Sequence, residues 1–410
     1  MHLAYIVAEF PSLTETFVLR EIEALQRRGV TVTVFALRRA AAGVPVHASA
    51  AAWVPQVRYA PRVLTAAVVL ASLSRLRGSP RRCLRSFGAA LRGCGRHPRR
   101  ALAALWHSAV ATAWAAEGER LGIEHVHAEF AFVTADVART MAAWLGRRFS
   151  VSAHAWDVYA QPPAELARHL EGCAFVTACT QAARQHLDAV LPVPFRERLH
   201  LIRHGLDFGS PRVPDGGPSN AGLPLVLGVG RIEEKKGFCY LLDACDLLRE
   251  RGVTFRCVIA GDGSLLGRLA AMATTLDLGG CVEFTGRLNQ EQLAGLYRQA
   301  AVFVLPSVVA RDGDRDGLPN TVLEAMDAGL PVVTTRAAAA SEAIADGESG
   351  FLVPPHDTEA LADRIESLLR SPQLRRTVGG AARRRVREAF DIDRNVESLI
   401  RLFEDSIGAK

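Results

Sequence analysis

Apolar and polar positions follow two rhythms along this chain. Short, nearly continuous runs of Val, Ile, Leu and Ala predict buried strands, and the stretches between them, with apolar residues three or four apart, predict amphipathic helices. The strand-like runs of the first half are Leu3–Ala8, Thr31–Leu37, Glu124–Ala128, Phe149–Ala153, Cys173–Ala178 and Arg198–Arg203. Those of the second half are Leu223–Val229, Phe255–Ala260, Cys281–Thr285, Ala301–Leu305, Pro331–Thr334 and Phe351–Val353. Strands alternating with helices mark βαβ units and parallel sheets. The expected fold class is therefore α/β, with two doubly wound, Rossmann-like domains and a cleft between them.

The domain limits follow from the same pattern. Residues 1–207 form the first domain, and 208–222 are a linker rich in Pro, Gly and small polar residues. Residues 223–388 form the second domain, and 389–410 a C-terminal helix expected to pack back on the first. Within the first domain, 62–116 lacks strand signals. Leu84, Phe87 and Leu91, and again Leu102, Leu105 and Trp106, recur at helical spacing and predict amphipathic helices with an Arg-rich polar face.

Composition sharpens this picture at one place. With 410 residues, 49% hydrophobic and 22% charged, the chain is globular rather than disordered or fibrous. The net charge of +6 hides an asymmetry: between Glu23 and Glu117 there are 15 Arg and no acidic residue, so this stretch is +15 and the remainder −9. Like charge at that density calls for an anionic neighbour: nucleic acid, a phosphate-rich ligand or an anionic membrane. A coding preference for Arg is the plain alternative. Basic and aromatic residues do not interleave, which argues against single-stranded nucleic acid. The run Val63–Leu73 is about half the roughly 20 residues that span a bilayer. Met1–Ala8 lacks the basic start of a signal peptide and reads as a first strand of a cytoplasmic protein. The eight Cys contain no C-x-x-C pair, so reduced, packed thiols are expected.

Chemistry should lie in loops beyond the carboxyl ends of the strands. After Leu223–Val229 comes Gly228-Val229-Gly230-Arg231-Ile232-Glu233, in which Glu233 breaks the dinucleotide fingerprint G-x-G-x-x-G. What remains is a glycine turn carrying Arg231 and Lys236, two cations suited to a diphosphate or simply an exposed charge cluster. The loop Gly261-Asp262-Gly263-Ser264 opens a helix that Asp262 or Ser264 could cap, or whose free amides could bind an anion. Asp312-x-Asp314-x-Asp316-Gly317 imitates a calcium loop but has Leu323 where the bidentate Glu belongs. Asp316 and Glu324 instead flank the start of a helix near Pro319, where the amides of Gly317 and Leu318 favour phosphate. Ser12-x-x-Glu15 reads as a capping box for the helix that buries Val18, Ile22 and Leu25.

Taken in order, Gly230-Arg231…Lys236-Gly237, Gly261-Asp262-Gly263, Val282-Glu283-Phe284-Thr285-Gly286, Leu305-Pro306-Ser307, Asp316-Gly317-Leu318-Pro319…Glu324-Ala325-Met326 and Gly329-Leu330-Pro331 resemble the C-terminal domain of glycosyltransferase family 4. The segments Phe10–Val18, His125-Val126-His127-Ala128 and Ser152-Ala153-His154-Ala155-Trp156-Asp157 are similar to the exopolysaccharide branch of that family, which includes colanic-acid glycosyltransferases.

The resemblance implies a retaining GT-B enzyme with a nucleotide-diphosphate sugar as donor and a glycan or lipid-linked acceptor. It needs no metal or other cofactor and no nucleic acid. Arg231 and Lys236 would hold the diphosphate, and Glu324 the ribose. Gly230, Gly263, Arg287, Gly317, Leu318 and Pro319 would line the nucleotide-sugar site. Asp316 stands where the family usually has Glu, one methylene shorter. His154 would lie near the transferred sugar, with Thr14, Glu15 and His127 on the acceptor side. Docking on an anionic membrane at the cytoplasmic face is the corresponding expectation for the Arg-rich stretch. The rival readings are a nucleotide-sugar-binding protein without transfer activity, and a phosphorylase or epimerase on the same scaffold.

Overall fold

The computed structural model describes residues 1–12, 15–40, 48–61, 65–91, 97–208, 222–337 and 339–409. Thr14 and residues 209–221 of the expected linker lie outside them. The chain divides into two compact units. Met1–Cys179, Ala183–His204 and Ile392–Lys410 form the first, and Thr180–Ala182 with Gly205–Asp391 the second.

Seven parallel strands make the sheet of the first unit: β1 (His2–Phe10), β2 (Thr31–Arg39), β3 (Arg58–Tyr59), β4 (His125–Glu129), β5 (Phe149–Ala153), β6 (Val176–Ala178) and β7 (Leu199–Leu201). Their order is β3-β2-β1-β4-β5-β6-β7. The second sheet holds β8 (Leu225–Val229), β9 (Arg256–Ala260), β10 (Val282–Gly286), β11 (Ala300–Leu305), β12 (Val332–Thr335) and β13 (Phe351–Val353), in the order β10-β9-β8-β11-β12-β13. All twelve strand runs read from the sequence appear. The additional strand, β3, is two residues long and carries Arg58 and Tyr59, so it has no apolar signal.

In both sheets the winding reverses beside the first strand of the unit, between β1 and β4 and between β8 and β11. Such a reversal opens a crevice beyond the strand ends, which is where ligands bind in doubly wound sheets. Every residue of β4, β5, β8, β11, β12 and β13 is buried. This explains why β8, β11 and β13 read as nearly continuous apolar runs, while β4 and β5 bury His125, His127, Glu129, Ser150 and Ser152 among their apolar residues.

The helix Ile392–Gly408 belongs to the first unit, where Ile392, Val396, Leu399 and Phe403 repeat every three or four residues and are buried. They join Leu3, Tyr5 and Val7 of β1 in one cluster. The side chain of Asn395 donates to the carbonyl of Arg203 at 2.8 Å.

The basic region forms helices Ala66–Gly78, Pro80–Leu91 and Pro98–Leu121. Its apolar stripes are only half buried. Phe87 and Trp106 pack against the core, whereas Leu84 and Leu102 are 69% and 71% exposed. Part of the basic charge is answered by pairing: Arg58 with Glu117 at 2.6 Å and Arg75 with Glu119 at 2.7 Å, both acids at the end of the helix Pro98–Leu121, and Arg28 with Glu397 at 2.6 Å. Among the described residues no helix is long and apolar enough to cross a membrane. Cys173, Cys179, Cys239, Cys245, Cys257 and Cys281 are free thiols.

Candidate functional site

In the second unit, three loops meet at the reversal point. The turn after β8 carries Gly230 to Gly237, that after β9 carries Gly261 to Gly263, and that after β11 runs from Pro306 to Pro319. Their backbones touch so closely that side chains are excluded. A Cβ on Gly237, whose φ is +64°, would fall 1.9 Å from the carbonyl oxygen of Pro306, and one on Gly263 would fall 2.4 Å from that of Ile232. The amide of Ile232 donates to the carbonyl of Asp262 at 2.9 Å, tying the first two loops together. The glycine spacing seen in the sequence is thus a packing requirement of the loops.

On this frame Lys236 and Asp316 come together. The ammonium of Lys236 donates to Oδ2 of Asp316 at 2.8 Å, and both residues are buried. The hydroxyl of Ser307 donates to the same oxygen at 3.1 Å. Oδ1 takes no hydrogen bond from a described residue. Beside them Lys235 pairs with Asp314 at 2.7 Å.

The helix Asn320–Asp327 begins next to Asp316. The amides of Gly317 and Leu318 donate to no described residue, and the Thr321 hydroxyl is sealed without a partner. The two amides form a donor-rich end suited to phosphate oxygens. Glu324 lies on that helix and accepts from the Tyr297 hydroxyl at 3.3 Å.

Arg231 is exposed and pairs with Glu233 at 3.1 Å. Arg287 pairs with Asp262 at 2.9 Å. Asp262 also accepts from the amide of Gly263 at 2.8 Å, and the following helix starts at Leu266 with no side-chain cap. Neither Asp262 nor Ser264 is its cap, because the cap position falls on Leu265.

In the first unit a polar cluster is sealed beneath the carboxyl ends of β4, β5 and β7. His154, which follows β5, donates or accepts through both ring nitrogens: Nε2 lies 2.8 Å from Oε2 of Glu129, and Nδ1 lies 3.0 Å from Nε2 of His204. Asp157 fixes the loop by accepting from the amides of His154 at 3.0 Å and Ala131 at 2.7 Å. Tyr5 donates to Glu21 at 2.8 Å. Burial and the neighbouring Glu129 push the Glu21 carboxyl up to about 8.

Burial opposes a charge on His154. Its contacts with Cys179, Glu129 and Asp157 prevail, holding it well above the usual histidine range. Burial, with His154 and Arg20 nearby, holds His204 well below it.

His127 departs from the acceptor-side role. It is fully buried, with Nδ1 2.7 Å from the hydroxyl of Ser150 and Nε2 2.9 Å from that of Ser152, so neither nitrogen is left for an acceptor. The expected capping box is likewise absent. Glu15 sits at the cap of the helix Thr16–Arg27 without a side-chain bond to it, because the helix starts four residues after Ser12. Glu15 and Ser12 instead line a small depression with Glu9 and Val18.

Two groups bring metal-type donors within 4.8 Å of one another, His154 with Cys179 and His204, and Glu21 with His127 and Glu129. Both nitrogens of His154 and of His127, and Nε2 of His204, are engaged in the hydrogen bonds just given.

Glu129 and His204 escaped the sequence reading, and Glu21 entered it only as part of the resemblance that starts at Phe10. Glu129 and His204 each stand at the carboxyl end of a strand, the one signal that could have marked them.

Two doubly wound Rossmann-like units, the second with its cationic glycine loops at the reversal point, are the components of the GT-B fold. Residues 212–385 match the family model "Glycosyl transferases group 1", so the second half of the chain is a domain of that family. The chain is 37% identical over 213 residues to the putative colanic acid biosynthesis glycosyltransferase WcaL of Escherichia coli K12, covering 50% of this chain and 51% of that protein. It is 39% identical over 137 residues to the amylovoran biosynthesis glycosyltransferase AmsK of Erwinia amylovora, covering 33% and 34%. The matched part thus spans about half the length of WcaL and about a third of AmsK. Anabaena HepE, solved in complex with UDP, shares the fold over 99% of this chain and 100% of its own, with a TM-score of 0.72 and 16% identity.

Proposed function

We propose that this chain is a retaining glycosyltransferase that moves a hexose from a nucleotide-diphosphate sugar to a hydroxyl of a glycan or lipid-linked acceptor in the synthesis of an exopolysaccharide. The observation that carries the reading is the buried Lys236–Asp316 pair, set on close-packed glycine loops beside the start of the helix Asn320–Asp327. Relatives named as colanic acid and amylovoran biosynthesis glycosyltransferases, and a UDP complex of a protein with the same fold, support it.

In this mechanism Lys236, Arg231 and the amides of Gly317 and Leu318 bind the diphosphate and offset the charge that develops as it departs. The protein's own cations supply this stabilisation without a metal. Asp316 offers its free Oδ1 to a sugar hydroxyl while its other oxygen orients Lys236, and Glu324 accepts from the ribose. Arg287 and Asp262 flank the site. Holding donor and acceptor in reactive geometry supplies the rest of the rate enhancement. The Arg-rich helices with exposed leucines dock the chain on the cytoplasmic face of an anionic membrane, where a lipid-linked acceptor is found.

A thermal-shift screen with UDP-, GDP- and ADP-sugars tests the donor site. A true donor at a hundred times its dissociation constant stabilises the fold by about 2.7 kcal/mol. No shift with any of them defeats the proposal. Binding without transfer or hydrolysis over a broad acceptor panel would mark a binding protein instead.

A further inference from the structure

We propose that Lys235 and Asp314 are positioning residues of the donor site: their buried pair clamps the loop after β11 to the turn after β8 and thereby keeps Asp316 on Lys236. That this site takes a nucleotide sugar rests on the glycosyl-transfer reading; the clamp itself does not.

The geometry carries the clamp. The turn from Gly230 to Gly237 presents two lysines in succession, and the loop from Pro306 to Pro319 presents aspartates at the alternate positions 312, 314 and 316. They meet rung by rung, Lys235 with Asp314 at 2.7 Å and Lys236 with Asp316 at 2.8 Å. Lys235 grips both limbs of the loop. Its carbonyl accepts from the amide of Val308 at 2.9 Å on the outgoing limb, and its ammonium donates to Oδ2 of Asp314 on the returning one. Asp312 closes the turn between the limbs: its carboxylate accepts from the amide of Asp314 at 3.0 Å, while the Asp314 carbonyl accepts from the amide of Ala310 at 2.8 Å. The spaced aspartates that imitate a calcium loop therefore have three separate tasks. Asp312 closes the turn, Asp314 clamps it, and Asp316 faces the donor site.

The pair is poorly built as a source of stability. The side chains of Lys235 and Asp314 are 6% and 16% exposed, so both charges are largely removed from water. Oδ1 of Asp314 is sealed with no hydrogen-bond partner among the described residues. A buried ion pair is often no more stable than apolar side chains of similar volume, and an unsatisfied oxygen weakens it further. What the pair supplies is direction. Asp314 lies two residues from Asp316, so an unclamped Asp314 competes for Lys236. Lys235 occupies that carboxylate and leaves Lys236 to Asp316, and any other register of the two loops strands a buried charge.

Hydrogen exchange of the full chain, read by mass spectrometry, tests the clamp. In Asp314→Asn, peptides covering residues 306–317 should exchange about tenfold faster than in wild type, the sign of easier local opening, while those covering β8, β9 and β11 stay unchanged. Equal exchange in that loop overturns the clamp.

The double variant Lys235→Met/Asp314→Leu separates position from stability. It should melt at or above the wild-type temperature. With whichever UDP-, GDP- or ADP-sugar most stabilises the wild-type chain, its kcat should fall about 100-fold, the cost of a reacting group displaced by about 1 Å, while KM changes little because the phosphate contacts remain. Wild-type kcat overturns the positioning role, and so does a loss of turnover that appears only with a loss of melting temperature. A raised KM with kcat kept would make Lys235 a donor ligand instead, which also overturns it. Asp314→Asn, which keeps the shape of the side chain, repeats the kinetic test and guards against misfolding of the double variant. If no nucleotide sugar stabilises the wild-type chain, the transferase reading fails separately, and hydrogen exchange still decides the clamp.

Discussion

Lys236 and Asp316 are sealed together, while Arg231 lies in the open, and this difference separates two kinds of effect. Removing the carboxylate in Asp316→Ala leaves a buried ammonium without its paired carboxylate, a change that costs on the order of 3 kcal/mol. Urea unfolding should show that loss; a midpoint within error of wild type would refute the coupling. Arg231→Ala removes an exposed side chain whose partner is two residues away. Its stability should stay within about 0.5 kcal/mol of wild type. Turnover should fall about 100-fold to 1,000-fold, the cost of losing one donor to developing charge. Near-normal turnover would remove Arg231 from the mechanism. Gly237→Ala places a methyl group against the Pro306 carbonyl at a positive φ, so it should cost more than about 2 kcal/mol and weaken nucleotide binding with it. These residues could be found in the sequence because they sit in loops with a fixed chain spacing. The partnership of Lys236 with Asp316 could not, since it joins positions 80 residues apart through the meeting of two loops.

Most strands were legible because parallel strands covered on both faces are largely apolar, and the helix Ile392–Gly408 because its buried residues keep a helical repeat. The polar cluster under β4, β5 and β7 was not, since strand order, not chain distance, brings Tyr5, Glu21, Glu129, His154 and His204 together. That cluster has a pH signature. Unfolded Glu21 loses its proton near the ordinary value of 4.5, whereas the folded chain keeps it to about 8. The folded state therefore binds more protons across that window, and its stability declines as pH rises through it. Glu21→Gln retains an acceptor for Tyr5 and a donor toward Glu129 but removes the titration. His154, also raised in the fold, adds a decline above its ordinary value of 6.5 that both chains share. Melting temperatures between pH 5 and pH 8 should thus fall less in the variant than in wild type. Parallel curves would show that Glu21 does not titrate in this window.

At the scale of the whole molecule, the chain's charge is divided along its length: +15 between Glu23 and Glu117 and −9 elsewhere. The fold answers part of that excess by pairing Arg28, Arg58 and Arg75 with acids beyond the stretch. It leaves Arg77, Arg81 and Arg99 exposed, in the same three helices as the exposed Leu70, Leu84 and Leu102. Exposed leucines on a globular surface are unremarkable singly, but three in basic helices match what an anionic bilayer binds, through insertion of apolar side chains and attraction of cations to headgroups. Each cation near such a surface contributes about 1 kcal/mol at moderate salt, and this part is screened as salt rises. Sedimentation with vesicles containing anionic lipid should therefore pull down the protein, with weaker recovery on neutral vesicles and at high salt. Replacing Arg77, Arg81 and Arg99 with Gln should weaken vesicle binding by roughly two orders of magnitude, from about 3 kcal/mol of lost attraction. The nucleotide-induced thermal shift should not change, because none of the three belongs to the donor site. Equal recovery on neutral and anionic vesicles would make these helices an ordinary solvated face, and the acid-free stretch would then reflect only a preference for Arg.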